Sequence, residues 1–182
     1  MTLTTQDFCE LFPKITEHTN NDEVGALLRL LKFESFDENE HIIKDNQKND
    51  TLYFVMEGKL NSYIEDNERK ITIGTIHPGE YIGEVSMLDG EPSTSSVITE
   101  TPCTLYSLSR SSFKELEKEY PVISGKLLRS ISSLLTNRLR SSDKLLFDGL
   151  ASQKESYTEQ KDDSIDSTRD WFVKIYHRLH HH

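Results

Sequence analysis

A chain of 182 residues, 35% hydrophobic and 29% charged, is long enough for one domain, or one domain with an appendage, around a modest core. Its 31 acidic residues against 21 Lys and Arg leave a net charge of −10, which argues against nucleic acid or an anionic membrane as partner, since both demand clustered cations. Two cysteines, Cys9 and Cys103, without CxxC spacing offer neither a disulfide framework nor a zinc site and read as small buried or half-buried thiols.

The first zone, residues 1–32, reads as helical. Thr5-Gln6-Asp7 starts a short helix through Phe8 and Leu11, which Pro13 stops. Asn21-Asp22-Glu23 opens a second, with Val24, Leu27, Leu28 and Leu31 on one face. The opening MTLTTQDFCELFPK lacks the basic start and apolar stretch of a secretory signal. No apolar run reaches the roughly 18 residues of a membrane span, so a reducing, cytoplasmic setting is expected.

From Phe33 to about Leu108 the pattern turns to strands. HII (41–43), LYFVM (52–56), KLNSYI (59–64), KITIGTI (70–76), SVIT (96–99) and TLYSL (104–108) recur between turn residues, the pattern of an all-β sandwich, barrel or jelly roll. Glu57-Gly58, Asp66-Asn67 and Pro78-Gly79 mark reversals. GEVSMLDG (83–90) replaces the next strand with a short helical turn.

The third zone begins with Ser112-Phe113-Lys114-Glu115, a capped helix entry, and Pro121 precedes a longer helix over 122–147. There Leu128, Ile131, Leu135, Leu139 and Leu146 follow helical spacing, with Leu127, Leu134 and Leu145 beside them. A second phasing places Leu128, Ile131, Leu135, Arg138, Ser142 and Leu145 at heptad positions. The band reads either as one helix lying across the β-domain or, because it is wider than one packing face needs, as the contact of a homodimer through the 122–147 helix. Residues 148–166 are polar and read as a linker. An amphipathic tail helix over 167–179 carries Trp171, Phe172, Ile175, Tyr176 and Leu179, too apolar to stay free, and is expected to dock on this protein or a protein partner. The last three residues, 180–182, look like a purification-tag remnant.

The order LYFVMEGKLNSYI, PGEYIGEVSMLDGEPSTSS, FKELEKEYPVISGKLLRSIS resembles the cyclic nucleotide-binding domain superfamily, in particular the sensor half of catabolite-activator-like regulators. The resemblance implies a mainly β fold: a β-roll or jelly roll over 33–147, with flanking helices and a long C-terminal helix. It also implies that Gly83, Glu84, Val85, Ser86, Pro92, Ser93, Thr94 and Ser95 line a cyclic nucleotide site, cyclic AMP or cyclic GMP being the implied ligand. Glu84 would accept from the ribose 2′-hydroxyl. Thr94 or Ser95 would touch a base, or the Ser/Thr run simply solvates one face of a strand, and Thr136, Asn137, Ser141 and Ser142 would close over the base from the long helix. Gly83 has two readings, a plain turn or close approach of backbone to ligand.

One departure outweighs the rest. Where the family places an arginine after the proline, to pair with the phosphate, this chain has Ser93. No Lys or Arg lies between Lys70 and Arg110, whereas Glu80, Glu84, Asp89, Glu91 and Glu100 do. Losing a charge-assisted contact to a buried phosphate costs about 1.5–3 kcal/mol. Hydroxyls of Ser93 to Ser96, helix N–H groups after Gly83, or a remote cation such as Arg138 or Arg140 would have to compensate. A second departure is DNQKND (45–50) in place of a glycine-rich turn, which Asn and Asp can still form.

No catalytic motif, metal cluster or cofactor motif is present, and His77 reads as surface. The segment after Phe147 is too short for a helix-turn-helix module, so no DNA binding is expected from this chain. The expectation is a non-enzymatic sensor with weakened or altered ligand binding. Its rivals are a ligand-free dimerising or docking scaffold, or the sensor fragment of a larger regulator.

Overall fold

Short helices open the chain because the caps are spelled out residue by residue. Thr4 Oγ1 accepts from the Asp7 N–H at 3.1 Å while the Asp7 carboxylate accepts from the Thr4 N–H, a reciprocal cap for α1 (Thr5–Leu11). Pro13 ends that helix and occupies the first position of α2 (Pro13–Thr16), where its missing N–H costs nothing. Asn20 caps α3 (Asn21–Leu30) by accepting from the Glu23 N–H at 2.8 Å. The computed structural model describes residues 4–66 and 69–156, apart from the side chains of Asp66 and of residues 145–156.

Among the described residues eight strands follow: β1 (Lys32–Phe36), β2 (His41–Ile43), β3 (Thr51–Glu57), β4 (Leu60–Asp66), β5 (Arg69–Ile76), β6 (Tyr81–Ile82), β7 (Ser96–Thr99) and β8 (Cys103–Ser109). They form two four-stranded antiparallel sheets, ordered β1-β8-β3-β6 and β2-β7-β4-β5. Ile43, Val55, Leu60, Ile76, Ile82, Val97, Cys103 and Leu105 form a core cluster drawn from both sheets. Each of the six strands anticipated from the sequence is present, and the fold is the expected β-roll with flanking helices. The Asp66-Asn67 reversal falls on residues 67–68, outside the described part.

β3 is apolar on both faces because it is covered on both. Val55 joins the core between the sheets. Phe54 meets the N-terminal helices, its ring 5.6 Å from Phe8 and 5.3 Å from Phe12. Tyr81 of β6 completes that cluster, stacked 5.3 Å from Phe12 and edge-on to Phe54 at 5.4 Å. Such ring pairs add about 0.5–1.5 kcal/mol each beyond the area they bury, and here they fasten α1 and α2 to the strand that leads into the glycine-flanked turn.

Two boundaries differ from the sequence reading. α5 (Arg110–Glu119) starts before Ser112, because Ser109 is the cap: its hydroxyl accepts from the Ser112 N–H at 3.1 Å. α6 (Pro121–Ser156) continues past Phe147 through 148–156, the first part of the stretch read as linker. Leu150, Ala151, Gln153, Lys154 and Glu155 are good helix formers and carry it past Gly149. The tail over 167–179 and residues 180–182 lie outside the described residues.

The chain divides into two compact units, residues 1–133 and 134–182, with the division inside α6. In the first unit the buried face of α6 is Ile123, Leu127 and Ile131, each fully inaccessible. That stripe is displaced from the expected line through Leu128 and Leu135, which are only half-buried. In the second unit Leu139 is 57% exposed.

Candidate functional site

The segment from Gly83 to Ser96 folds as a turn, a helix and a return. Gly83 is left-handed at φ 80° and opens α4 (Glu84–Asp89), which Gly90 closes at φ 88°. A Cβ on Gly83 would overlap the Thr51 carbonyl oxygen and stand 2.6 Å from Asn49 Nδ2. Glycine is therefore demanded here by the chain's own backbone at the start of β3. The approach that glycine permits here is by the protein's own backbone. Asn49 fixes that junction by donating from Nδ2 to the Thr51 carbonyl at 2.8 Å.

Glu84 is buried to 2% exposure and engaged within the fold, as a carboxylate taken out of water must be. Val85 is exposed, and Ser86 is buried. Beyond α4, Pro92 is exposed and Ser93 turns inward at 7% exposure, its hydroxyl 3.1 Å from that of Ser86. Thr94 is exposed, while Ser95 accepts from the Ser62 hydroxyl at 3.1 Å. Ser96 is buried and accepts from the Asp45 N–H at 3.0 Å. The hydroxyls thus form pairs and backbone tethers.

The turn between β2 and β3 is stitched to the same place. Ser93 donates its N–H to the Gln47 carbonyl at 2.9 Å, and Asn46 donates to the Ser93 carbonyl at 2.8 Å. Asn46 is left-handed at φ 60°, so the glycine-less turn forms through asparagine, as the sequence allowed. Lys48 stands opposite Pro92 in an isolated antiparallel bridge. Residues paired across such a bridge project to one side and their neighbours to the other. Lys48 and Pro92 accordingly face solvent while Ser93 faces inward.

Arg110 is the cation that sequence reasoning missed. As the first residue of α5 it reaches back to α4, where Nη2 donates to the Ser86 carbonyl. A Cβ on Gly90 would lie 2.6 Å from its Nη1. The guanidinium therefore caps the negative end of α4, and its Nε is buried without a partner. A hint was available: an arginine at a helix N-terminus opposes the macrodipole, which signals a partner elsewhere in the fold.

Most cassette acids serve local structure. Glu80 accepts from the His77 N–H at 2.7 Å, Asp89 accepts from the Glu91 N–H at 2.9 Å, and Glu100 pairs with Lys59 at 2.8 Å. The bond from Lys59 holds the Glu100 carboxyl below its ordinary range. Cys103 is buried and Cys9 half-buried, both free thiols as expected. Burial pushes the Cys103 thiol up.

The strand entering the cassette is also tied to the long helix. The Tyr81 and Ser130 hydroxyls lie 2.8 Å apart in a buried bond. Burial raises the Tyr81 phenol, and the bond to Ser130 opposes that rise. Thr136, Asn137, Ser141 and Ser142 lie further along α6, in the second unit, where all four are exposed. Among the described residues no group of three or more His, Cys, Asp and Glu could hold a metal, and no helix is long and apolar enough to cross a membrane.

Residues 33–120 match the family model described as the cyclic nucleotide-binding domain. The human potassium/sodium hyperpolarization-activated cyclic nucleotide-gated channel 2 is 34% identical over 100 residues, which is 55% of this chain and 11% of the channel. The chain thus spans about a tenth of the length of that relative. A cyclic nucleotide-binding domain from Methylobacillus flagellatus superposes with a TM-score of 0.72 at 25% identity, covering 88% of this chain and 86% of that one. The Thermus thermophilus catabolite activator protein superposes at 0.64 with 24% identity over 76% of this chain and 63% of its own. With the two sheets, the glycine-bounded α4 and the buried Glu84 in place, residues 33–120 belong to the cyclic nucleotide-binding domain family.

Proposed function

We propose that this protein is a non-enzymatic regulatory module whose cassette binds a cyclic nucleotide weakly, or has shifted to an altered ligand. The observation that carries the reading is the buried Ser86–Ser93 hydroxyl pair, standing where the family resemblance calls for a phosphate-pairing arginine. Arg110, the guanidinium that reaches the cassette, is bonded to the Ser86 carbonyl. Lys48 lies on the outer side of the Pro92 pairing. An incoming cyclic phosphate would meet hydroxyls and the first N–H groups of α4, each weaker than a guanidinium. Gly83, Glu84, Val85, Ser86, Pro92, Ser93, Thr94 and Ser95 form the proposed site.

The same contacts favour a second reading, a dimerising or docking scaffold without a ligand. Gly83 packs on the chain itself and the serines satisfy one another, so nothing in the cassette requires an occupant to keep its shape. Leu128, Leu135 and Leu139 of α6 supply the apolar side chains for a homodimer, and the tail over 167–179 those for a protein partner. On either reading the chain could also serve as the sensor part of a longer regulator.

Competition against a fluorescent cyclic nucleotide tests the first reading. Cyclic AMP or cyclic GMP should displace it with saturable but weak affinity, and Glu84→Gln should weaken that by about fivefold, because a neutral amide oxygen replaces the charged ribose acceptor. No displacement selects the scaffold. A wild-type dissociation constant below about 1 μM overturns the weak-binding reading.

A further inference from the structure

Three cations converge at a second place, away from the cassette. A groove of about 460 Å³ between α2 and the start of α6 is lined by Lys14, Val122, Gly125, Lys126 and Arg129. The four α6 residues fall at i, i+3, i+4 and i+7, one face of the helix, with Lys14 opposite on α2. No carboxylate lines the groove, in a chain whose net charge is −10. Among the described residues, no acidic side chain forms an ion pair with Lys14, Lys126 or Arg129. Lys126 donates to the Glu17 carbonyl and, at 2.6 Å, to the Thr19 hydroxyl. Both acceptors are neutral, so they position its charge without cancelling it.

The floor of the groove gives an independent reason to look for a ligand. Gly125 lies inside a helix, where glycine costs about 1 kcal/mol relative to alanine. It has no left-handed φ, and nothing stands within 4 Å of where its Cβ would be. No packing against the described residues calls for it, and it leaves the groove open on that face of α6. Val122, 54% exposed, supplies an apolar wall.

We propose that this groove is a binding site for a small ligand carrying a phosphate or diphosphate group. Lys14, Lys126 and Arg129 meet the anionic oxygens, and Gly125 makes room for the group. The size suits a small molecule: the groove falls within the roughly 300–1,000 Å³ of ligand pockets and extends along only two turns of α6. Its occupant would also bear on the helix junction, because Lys126 ties α6 to the loop after α2 and Ser130, next to Arg129, holds Tyr81. The proposal stands independently of what the cassette binds.

The test is a titration of the full ¹⁵N-labelled chain with sodium pyrophosphate, against sodium chloride of equal ionic strength, followed by amide shifts. Pyrophosphate should move the amides of Lys14, Val122, Gly125, Lys126 and Arg129 saturably, and chloride should not. Lys14→Gln and Arg129→Gln should each weaken binding about threefold to tenfold. Gly125→Leu, which keeps every charge and favours the helix, should abolish it by filling the floor. The proposal is overturned by shifts that do not saturate, by movement confined to the cassette amides from Gly83 to Ser96, or by a Gly125→Leu chain that binds as well as wild type.

Discussion

Gly83 shows how a single residue can be legible in kind while the group it packs on stays hidden. Its place before a short helix marks it as a special backbone position, and the structure gives it φ 80°. The group it must admit, however, is the Thr51 carbonyl, across a distance in sequence that no local pattern reveals. Gly83→Ala should therefore destabilise the empty protein by about 2–4 kcal/mol, combining left-handed strain with an overlap. A urea midpoint within error of wild type would show that the β3 junction yields. That Ser93 stands where the resemblance implies an arginine is visible in the sequence, whereas its inward turn toward Ser86 is not. Arg110 was hidden, because its role depends on α5 beginning beside α4.

At the scale of elements, periodicity served where a strand has a wet side and a dry side, or two dry ones. β2, β3 and β7 were readable for that reason. β1 sets no readable pattern, because KFESF has no fully buried residue. β6 escaped because two residues carry no period. α6 was recognised, yet its buried line runs through Ile123, Leu127 and Ile131, since Ser124 and Ser130 are buried too and broaden the inner face with small polar residues. Ser130 is the informative one, because its bond to Tyr81 joins α6 to the strand that ends at the cassette. A double-mutant cycle of Tyr81→Phe and Ser130→Ala should return a coupling of about 1 kcal/mol in stability. Strict additivity would mean that the two hydroxyls do not depend on each other.

At the scale of the molecule, the fold was the most legible layer, since turn spacing, strand order and the glycine-bounded helix all agree. The chemistry of the site was less so, because it depends on which side chains meet across distant segments, as Ser62 does Ser95 and Gln47 does Ser93. Two phenols, Tyr81 buried and Tyr53 half-buried, also set a property of the whole chain. Burial raises Tyr53 and Tyr81 above the ordinary phenol value, so the unfolded chain gives up these protons first. Their contribution is full below pH about 10 and drains as pH climbs beyond it. Urea midpoints should fall between pH 9 and 11, and less steeply in Tyr81→Phe. A flat profile would contradict the burial of these rings.

Ligand affinity is the property on which the functional account turns, and calorimetric titration with cyclic AMP, comparing wild type with Ser93→Arg, measures it most directly. Restoring a guanidinium at that position should raise affinity by about tenfold to a hundredfold, the worth of one charge-assisted contact to phosphate. Tight binding by the wild type with no gain from Ser93→Arg would contradict it, showing that another group already meets the anion.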